Sequence, residues 1–400
     1  MINKKIIKAY ALKNAIEYNG KAVAGSVVSG AFQAGLKKKD IRTTMVLINN
    51  VVKEVNLLSI EQQKKEFFKL KKLVGHRPER QGLPALPKAK KGKVITRMSP
   101  SPSGALTLGH ILTILPNFLY VKKYGGKFYI RIEDTNPENI YKPAYKMIEQ
   151  ESKWLCKNKV KIIIQSKRMS LYYKYIKKLI DKKAGYVCTC DSEEFKKYIS
   201  ESKNCPCRNL SAEENLKRWK KMLDKKGYSS GQAVVRFKSD MKNKNPAMRD
   251  FPLARVNQKK HPLQGNKYKV WPLMNLAVAV DDIKQGMTHI IRGKDHRDNA
   301  KRQEMIYRVL GKEKQYPWIA FIGKIHFTDL EISSSKIRKS IESGKYKGWD
   351  DPKLPTASSL KKQGYKPETF YQFVEQRGIS EVDKIISKKD FFEALNQFKK

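Results

Sequence analysis

Acidic residues are scarce in this chain. Aspartate and glutamate together account for 38 of the 400 residues, against 84 lysines and arginines, and the formal net charge is +46 at pH 7. This imbalance predicts a polyanionic partner such as nucleic acid, bound through phosphate contacts that salt weakens. The alternative interpretation is that many lysines, such as those at 37–39, only solvate the surface.

Long apolar runs are also missing. No segment approaches the ~20 consecutive apolar residues that a membrane-spanning helix needs, and lysines interrupt the N-terminal apolar stretch at positions 4, 5 and 8. Both observations exclude a membrane span and a signal peptide at the sequence level. We therefore expect a cytoplasmic protein, whose five cysteines would be reduced or metal-bound rather than paired in disulfides.

The pattern of apolar residues changes along the chain. A polar, helix-like region is followed by a segment rich in glycine, proline and lysine, and strand-like and helix-like segments alternate from Val94 onwards. Alternation of this kind is typical of a parallel α/β sheet. A length of 400 residues predicts two to four domains.

The segment from Arg97 to His110 contains the strongest motif. It follows the apolar run 94–96, is rich in proline, serine and glycine, and precedes a helix-like segment that begins at Ile111. The N-terminus of a helix offers free N–H groups and the positive end of the helix dipole, which suit a phosphate. Gly104 and Gly109 would allow a nucleotide to approach the backbone closely, because glycine has no Cβ.

This segment resembles the nucleotide signature of class I aminoacyl-tRNA synthetases, and in particular that of the glutamyl/glutaminyl branch. Four further segments resemble the same enzymes, in the same order along the chain: 131–137, 277–282, 288–293 and 348–356. The helical N-terminal region is similar to that of the archaeal-type enzymes. Each match is a hypothesis, but their order and spacing together are specific.

The resemblance implies an archaeal-type glutamyl-tRNA synthetase with a Rossmann-type parallel sheet that an insertion divides. The implied parts are a helical domain (1–80), a linker (81–93), the first half of the catalytic domain (94–187), an acceptor-binding insertion with a cysteine cluster (188–267), the second half of the catalytic domain (268–330), and a loop with the second ATP signature followed by a helical stem-contact region (331–400).

The resemblance also implies the residues that bind ATP. His110 would contact the phosphates and Gly109 the adenine, with Ser101 and Pro102 in the same loop. Thr107 occupies the position where the family usually has its first histidine, and its hydroxyl can donate one hydrogen bond but carries no charge. The alternative for His110 is a helix cap or a buried structural histidine.

A second ATP signature is implied at Ser333, Ser334 and Ser335. Neither lysine of the usual family pattern is in register, so Lys336 is the predicted cation for the leaving pyrophosphate, with Mg²⁺ accompanying the ATP. The serines are equally consistent with an N-cap before a helix over 336–340, and the two interpretations are compatible because a helix N-terminus also favours phosphate.

Substrate choice is implied to depend on arginines. Arg97 and Arg292 would face the side-chain carboxylate of glutamate, Glu133 would receive the α-ammonium group, and Met274 would complete the amino-acid site. A guanidinium binds a carboxylate through two parallel hydrogen bonds, and the amide of glutamine would leave charge unpaired. Arg292 therefore favours glutamate over glutamine, the alternative for each residue being a surface ion pair.

Four of the five cysteines fall within one short segment. They form two close pairs, Cys188 with Cys190 and Cys205 with Cys207. Two such pairs predict a structural zinc site with four thiolate ligands, although the spacing within each pair is tighter than usual. The resemblance places this segment in the part of the enzyme that binds the acceptor end of tRNA.

The implied partner is tRNA(Glu), bound at its acceptor end and stem, with tRNA(Gln) as a second candidate substrate. The archaeal-type enzymes continue into β-barrels that contact the anticodon. Three explanations stay open for this chain: it is a fragment, it has lost anticodon reading, or the β-barrels form a separate protein, which is the partner that we expect. Two alternatives remain: a glutaminyl-tRNA synthetase, and a catalytically impaired tRNA-binding paralogue. Thr107, the unusual second signature and the missing β-barrels motivate the latter.

Overall fold

The chain divides into two units, Met1–Glu79 and Arg80–Lys400. A computed structural model describes residues 2–75 and 82–399. The predicted boundary near residue 80 therefore lies outside the described residues. Within them, no helix is both long and apolar enough to cross a membrane.

The first unit is helical, as its sequence predicts. Its helices are α1 (Lys4–Glu17), α2 (Ala24–Gln33), α3 (Ile41–Asn56) and α4 (Ile60–Leu70). The sequence of residues 59–62 predicts a helix start, which the structure confirms. The Ser59 hydroxyl accepts from the backbone N–H of Gln62, and the Gln62 side chain accepts from the backbone N–H of Ser59. This reciprocal capping satisfies N–H groups that the first helical turn leaves free.

All strands of the described residues lie in the second unit. They are β1 (Val94–Met98), β2 (Gly126–Ile132), β3 (Lys161–Ile164), β4 (Gly185–Cys188), β5 (Val234–Phe237), β6 (Phe251–Val256), β7 (Val270–Pro272), β8 (His289–Gly293), β9 (Trp318–Ile322), β10 (Ile325–Phe327) and β11 (Lys384–Ile386). Its helices are α5 (Leu108–Tyr124), α6 (Ala144–Leu155), α7 (Met169–Asp181), α8 (Ser192–Ser200), α9 (Ala212–Leu223), α10 (Met274–Gln285), α11 (Arg297–Val309), α12 (Ser334–Glu342), α13 (Ala357–Lys362), α14 (Pro367–Arg377) and α15 (Lys388–Asn396).

The predicted parallel sheet is present. Strands pair in parallel in the order β1-β2-β3, and β8 pairs in parallel with β9. Strand β8 lies beside β1, where the Thr288 N–H donates to the Ile95 carbonyl at 3.0 Å. Asn117 of α5 joins the two strands. Its side-chain amide exchanges hydrogen bonds with the backbone of Ile291, and its backbone carbonyl accepts from the Thr96 hydroxyl.

A four-stranded antiparallel sheet, β4-β5-β6-β7, lies between the two parallel halves in sequence. Helices α8 and α9 accompany it, and the cysteine-containing segment begins at the end of β4. The sequence patterns predict strands at 233–237 and 268–271, where the structure has β5 and β7, but they do not predict β6. Its segment, Phe251–Val256, contains a proline and does not alternate polar with apolar residues, so it lacks the signal of a half-buried strand.

Several boundaries differ from those predicted. Helix α5 begins at Leu108 rather than Ile111, because Thr107 takes the N-cap position. The C-terminal region is helical as expected, but β11 adds a three-residue strand parallel to β10. Residues 82–93 contain no helix or strand, yet Leu86 is buried against Val94 and Tyr120.

Candidate active site

A cavity of about 570 Å³ opens where β1 and β8 end. On one side of β1 the sheet continues through β2 to β3, and on the other side it continues through β8 to β9. Ligands of open α/β sheets bind at such a reversal, beyond the carboxyl ends of the strands. The predicted site residues that line this cavity are Arg97, Thr107, Gly109, His110, Glu133, Met274, Arg292, Ser333, Ser334 and Ser335.

The loop between β1 and α5 is anchored from two directions. The N–H of Glu133 donates to the Pro100 carbonyl at 2.9 Å. On the other side the Leu108 N–H donates to Pro355, and Ala357 donates to Leu106, at 2.9 and 2.8 Å. Segments that are remote in the sequence therefore hold this loop, for which the sequence predicts nucleotide binding.

Hydrogen bonding determines the state of His110. Its Nδ1 accepts from the Thr107 backbone N–H at 3.1 Å and lies 3.1 Å from the Thr107 hydroxyl. A neutral ring that accepts at Nδ1 keeps its proton on Nε2. Burial lowers the pKa of His110 to about 4, so at neutral pH the ring is an uncharged donor. Thr107, which is buried, orients the ring.

The two predicted ATP signatures lie together. The Ser334 hydroxyl donates to the Ala105 carbonyl at 2.8 Å. A Cβ at Gly109 would lie 3.5 Å from the Ile332 side chain, so the second signature packs directly over the first. Ser101 and Pro102 are not among the residues that line the cavity, whereas Ser103 of the same loop is.

Lys336 does not line the cavity. Its side chain is 72% exposed, and its ammonium lies 3.1 Å from the Glu331 carboxylate. Two other basic residues, Lys324 and Arg377, do line the cavity. No sequence motif indicates either one, because both lie outside the signature segments. The role of Lys336 stays a prediction.

Arg97 is already paired within the protein. Its Nε and one terminal nitrogen donate to the two carboxylate oxygens of Asp282 at 3.0 and 2.8 Å. Arg131 donates to the same carboxylate at 2.6 Å. Burial would raise the pKa of Asp282, but the two arginines outweigh it and hold that pKa at about 2. Among the described residues, Arg97 therefore has one terminal nitrogen without a partner, rather than the complete fork that the resemblance implies for the ligand.

Arg292 lies in a different environment. It is buried, one terminal nitrogen donates to the Gln303 side-chain oxygen at 2.9 Å, and its Nε has no partner in the part of the chain that the structure describes. Burial and the like charge of Arg97 lower its pKa to about 10. Burial also raises the pKa of Glu133, against the effect of Arg131 and the other arginines. The cavity therefore contains an arginine that an anion would stabilise.

The cysteines form a cluster at the end of β4. The thiol sulfurs of Cys188, Cys190 and Cys205 all lie within 4.8 Å of one another. Cys188 and Cys205 are 3.9 Å apart, and Cys190 and Cys207 are 3.8 Å apart. Sulfurs bound to one zinc at about 2.3 Å would lie about 3.8 Å apart in a tetrahedron. Three thiols thus fit a zinc ion directly, and Cys207 contacts one of them.

Comparison with known proteins shows the family to which the chain belongs. The family model for class I tRNA synthetases (E and Q), catalytic domain, matches residues 93–399. The chain is similar to the glutamate–tRNA ligase of Pyrococcus furiosus, with 41% identity over 96% of this chain and 68% of that protein. It is also similar to the glutamate–tRNA ligase of Methanocaldococcus jannaschii, with 40% identity over 97% of this chain and 69% of that protein.

Solved structures share the fold. The crystal structure of a glutamate tRNA ligase from Elizabethkingia meningosepticum in complex with its amino acid matches with a TM-score of 0.52. The identity is 20%, and the match covers 76% of this chain and 68% of that one. The glutamate–tRNA synthetase of Elizabethkingia anophelis matches with a TM-score of 0.51 and 21% identity. At these identities the likeness shows the fold alone.

Proposed function

The chain belongs to the class I tRNA synthetase family for glutamate and glutamine, and on that premise we propose that it is a glutamate–tRNA ligase. It would activate glutamate with ATP and transfer the glutamyl group to the 3′ end of tRNA(Glu) in the cytoplasm. The observation that supports glutamate most directly is Arg292, a buried guanidinium in the cavity whose only hydrogen-bond partner among the described residues is a neutral amide.

Activation requires no covalent catalysis by the protein. An oxygen of the glutamate α-carboxylate attacks the α-phosphorus of ATP, and the bond to the bridging oxygen breaks as pyrophosphate leaves. Charge grows on the phosphate oxygens, so rate depends on donors that are already oriented. Transfer follows when a hydroxyl at the tRNA 3′ end attacks the glutamyl carbonyl and AMP departs.

The donors for ATP would come from two helix N-termini and one imidazole. His110 presents a neutral Nε2–H, and helices α5 and α12 both begin at the cavity. Free N–H groups and the dipole of each helix favour phosphate. ATP would bring Mg²⁺ with it, and Ser333–Ser335 would contact the phosphates, as the resemblance implies.

Arg292 and the free nitrogen of Arg97 would bind the side-chain carboxylate of glutamate, and Glu133 would bind its α-ammonium. Glutamine would place a neutral amide at the position where the two arginines would otherwise bind a negatively charged carboxylate. A buried site that is built for a charged partner penalises such an analogue strongly. This reasoning disfavours the glutaminyl-tRNA synthetase alternative.

A zinc ion would stabilise the insertion rather than take part in the reaction. The clustered cysteines lie at the end of β4 and are not among the residues that line the cavity. With Cys207 as a fourth ligand beside the three clustered thiols, the zinc would have no open position for a substrate. The proposed role of the site is to hold the segment that binds the acceptor end of tRNA. Lysines in excess would then neutralise tRNA phosphates.

The decisive experiment is ATP–pyrophosphate exchange with tRNA present, using glutamate and glutamine in turn. Exchange with glutamate is expected; preference for glutamine would support the glutaminyl enzyme, and tRNA binding without exchange would support the impaired paralogue. His110→Ala should slow exchange by about 100-fold, because it removes a donor to the developing charge. His110→Gln, which can still accept from Thr107, separates this effect from loss of the helix cap.

Charging of tRNA(Gln) and the separate anticodon-binding β-barrel protein remain predictions. Aminoacylation of tRNA(Glu) and tRNA(Gln) transcripts with native and altered anticodons tests both. Poor discrimination among anticodons, improved by an added β-barrel protein, is the expected result. Full discrimination by this chain alone would remove the need for that partner.

A further inference from the structure

The two arginines of the amino-acid site are held by chemically different partners. Arg97 donates to the carboxylate of Asp282, whereas Arg292 donates to the neutral side-chain oxygen of Gln303 at 2.9 Å. Gln303 lies on α11 and is 2% exposed, and Arg292 is 5% exposed. Neither the sequence motifs nor the family match assigns a role to Gln303.

The neutral partner affects the charge of the whole cluster. Arg97, Arg131 and Arg168 all contact Asp281 or Asp282. With Arg292 and Glu133 added, four guanidinium groups face three carboxylates. One positive charge is therefore left over, and it lies on the side of Arg292, whose buried Nε has no partner among residues 2–75 and 82–399.

Orientation is the second consequence of this contact. Arg292 is the residue before the last of β8, and its side chain is buried beside α11. Because Gln303 accepts through its oxygen, the plane of the guanidinium is held without a charged partner. Removal of that acceptor would leave a donor of a buried charged group unsatisfied. The guanidinium plane would then no longer be held toward the cavity, so we expect an anion to bind Arg292 about tenfold more weakly.

We propose that Gln303 is a positioning residue that makes the site selective for an anionic side chain: it orients Arg292 while leaving the positive charge of Arg292 available to the substrate. This inference rests on the proposed function, since glutamate is the anion it concerns. Gln303 does not line the cavity, so its effect on the substrate passes through Arg292.

Two substitutions separate charge from orientation. Gln303→Met keeps the length of the side chain but removes the acceptor. Gln303→Glu keeps the acceptor but adds a fourth carboxylate, which would cancel the remaining positive charge. Gln315→Glu makes the same chemical change at an exposed position on the same unit and serves as the matched control.

The measurement is calorimetric binding of two non-reactive adenylate analogues, glutamyl and glutaminyl sulfamoyl adenosine, with tRNA present. These probes report selectivity without any requirement for catalysis. Gln303→Met should weaken the glutamyl analogue about tenfold, and Gln303→Glu should weaken it several-fold further, with little change for the glutaminyl analogue. Gln315→Glu should match the wild type.

The outcomes are distinguishable. A wild-type chain that binds neither analogue, or that prefers the glutaminyl analogue, overturns the proposed function. A wild type that prefers the glutamyl analogue, with Gln303→Glu and Gln303→Met keeping that preference, overturns the role of Gln303 alone. Equal losses in the two variants would overturn the charge argument. Should thermal unfolding show that Gln303→Glu does not fold, unchanged selectivity in Gln303→Met is sufficient to reject the proposal.

Discussion

The contact between Gly104 and Trp349 makes a sharp prediction about the nucleotide loop. A Cβ at Gly104 would lie 2.2 Å from the Trp349 Cη2 atom and 2.9 Å from two further ring carbons. Gly104 is not among the residues with positive φ, so an alanine would meet a steric conflict and no backbone strain. The ring of Trp349 also packs against Tyr141, with centroids 6.1 Å apart, which limits its movement on that side.

The cost of Gly104→Ala follows from this geometry. Overpacking of a well-ordered contact typically lowers the free energy of unfolding by about 1–3 kcal/mol. Part of the conflict can be relieved by displacement of the loop that leads to His110. A displacement of about 1 Å in a reacting group costs about 100-fold in rate. We therefore expect kcat/KM for ATP in pyrophosphate exchange to fall about 10- to 100-fold.

A double-mutant cycle tests whether the ring is the cause. Unfolding in urea and pyrophosphate exchange are measured for Gly104→Ala, Trp349→Ala and the double variant. If the clash dominates, the double variant should be more active than Gly104→Ala alone, and the two effects should not add. Wild-type stability and exchange in Gly104→Ala, or additive losses in the double variant, would refute the steric argument.

Three further predictions concern charge and metal. Burial raises the pKa of Glu151 to about 7, although the Leu106 N–H and a serine hydroxyl donate to it. Because this pKa is higher in the folded than in the unfolded state, the protonated carboxyl stabilises the fold at low pH. The free energy of unfolding should therefore fall by at most about 3 kcal/mol as pH rises from about 4.5 to 7. Glu151→Gln should flatten this dependence in urea unfolding, and an unchanged slope would contradict it. Arg292→Lys should raise the KM for glutamate about tenfold and reduce selectivity over glutamine, since lysine lacks the planar fork; full retention of both would show that the fork is not used. Elemental analysis should find about one zinc per chain in the native protein and in Cys156→Ala, but not in Cys205→Ser. A zinc-free native protein would rule out the metal site.

Local patterns in the sequence were sufficient for much of the fold. The apolar run at 94–96 predicts β1, the capping residues at Ser59 predict the start of α4, and alternating segments predict a parallel sheet, all of which the structure confirms. These features depend on residues within a few positions of one another, so periodicity and capping preferences describe them well. The order of the motifs also predicted the family.

Only the tertiary structure decided the partners of the charged residues. Asp282 lies 185 positions from Arg97, and which oxygen or amide faces which guanidinium depends on the placement of α10 and α11 against the sheet. The same reason explains why Lys324 lines the cavity while Lys336 is exposed. Hydrophobic periodicity reports which face of an element is buried, but it carries no information on which polar groups meet there. The selectivity attributed to Gln303 could therefore emerge only once the strands and helices were in place.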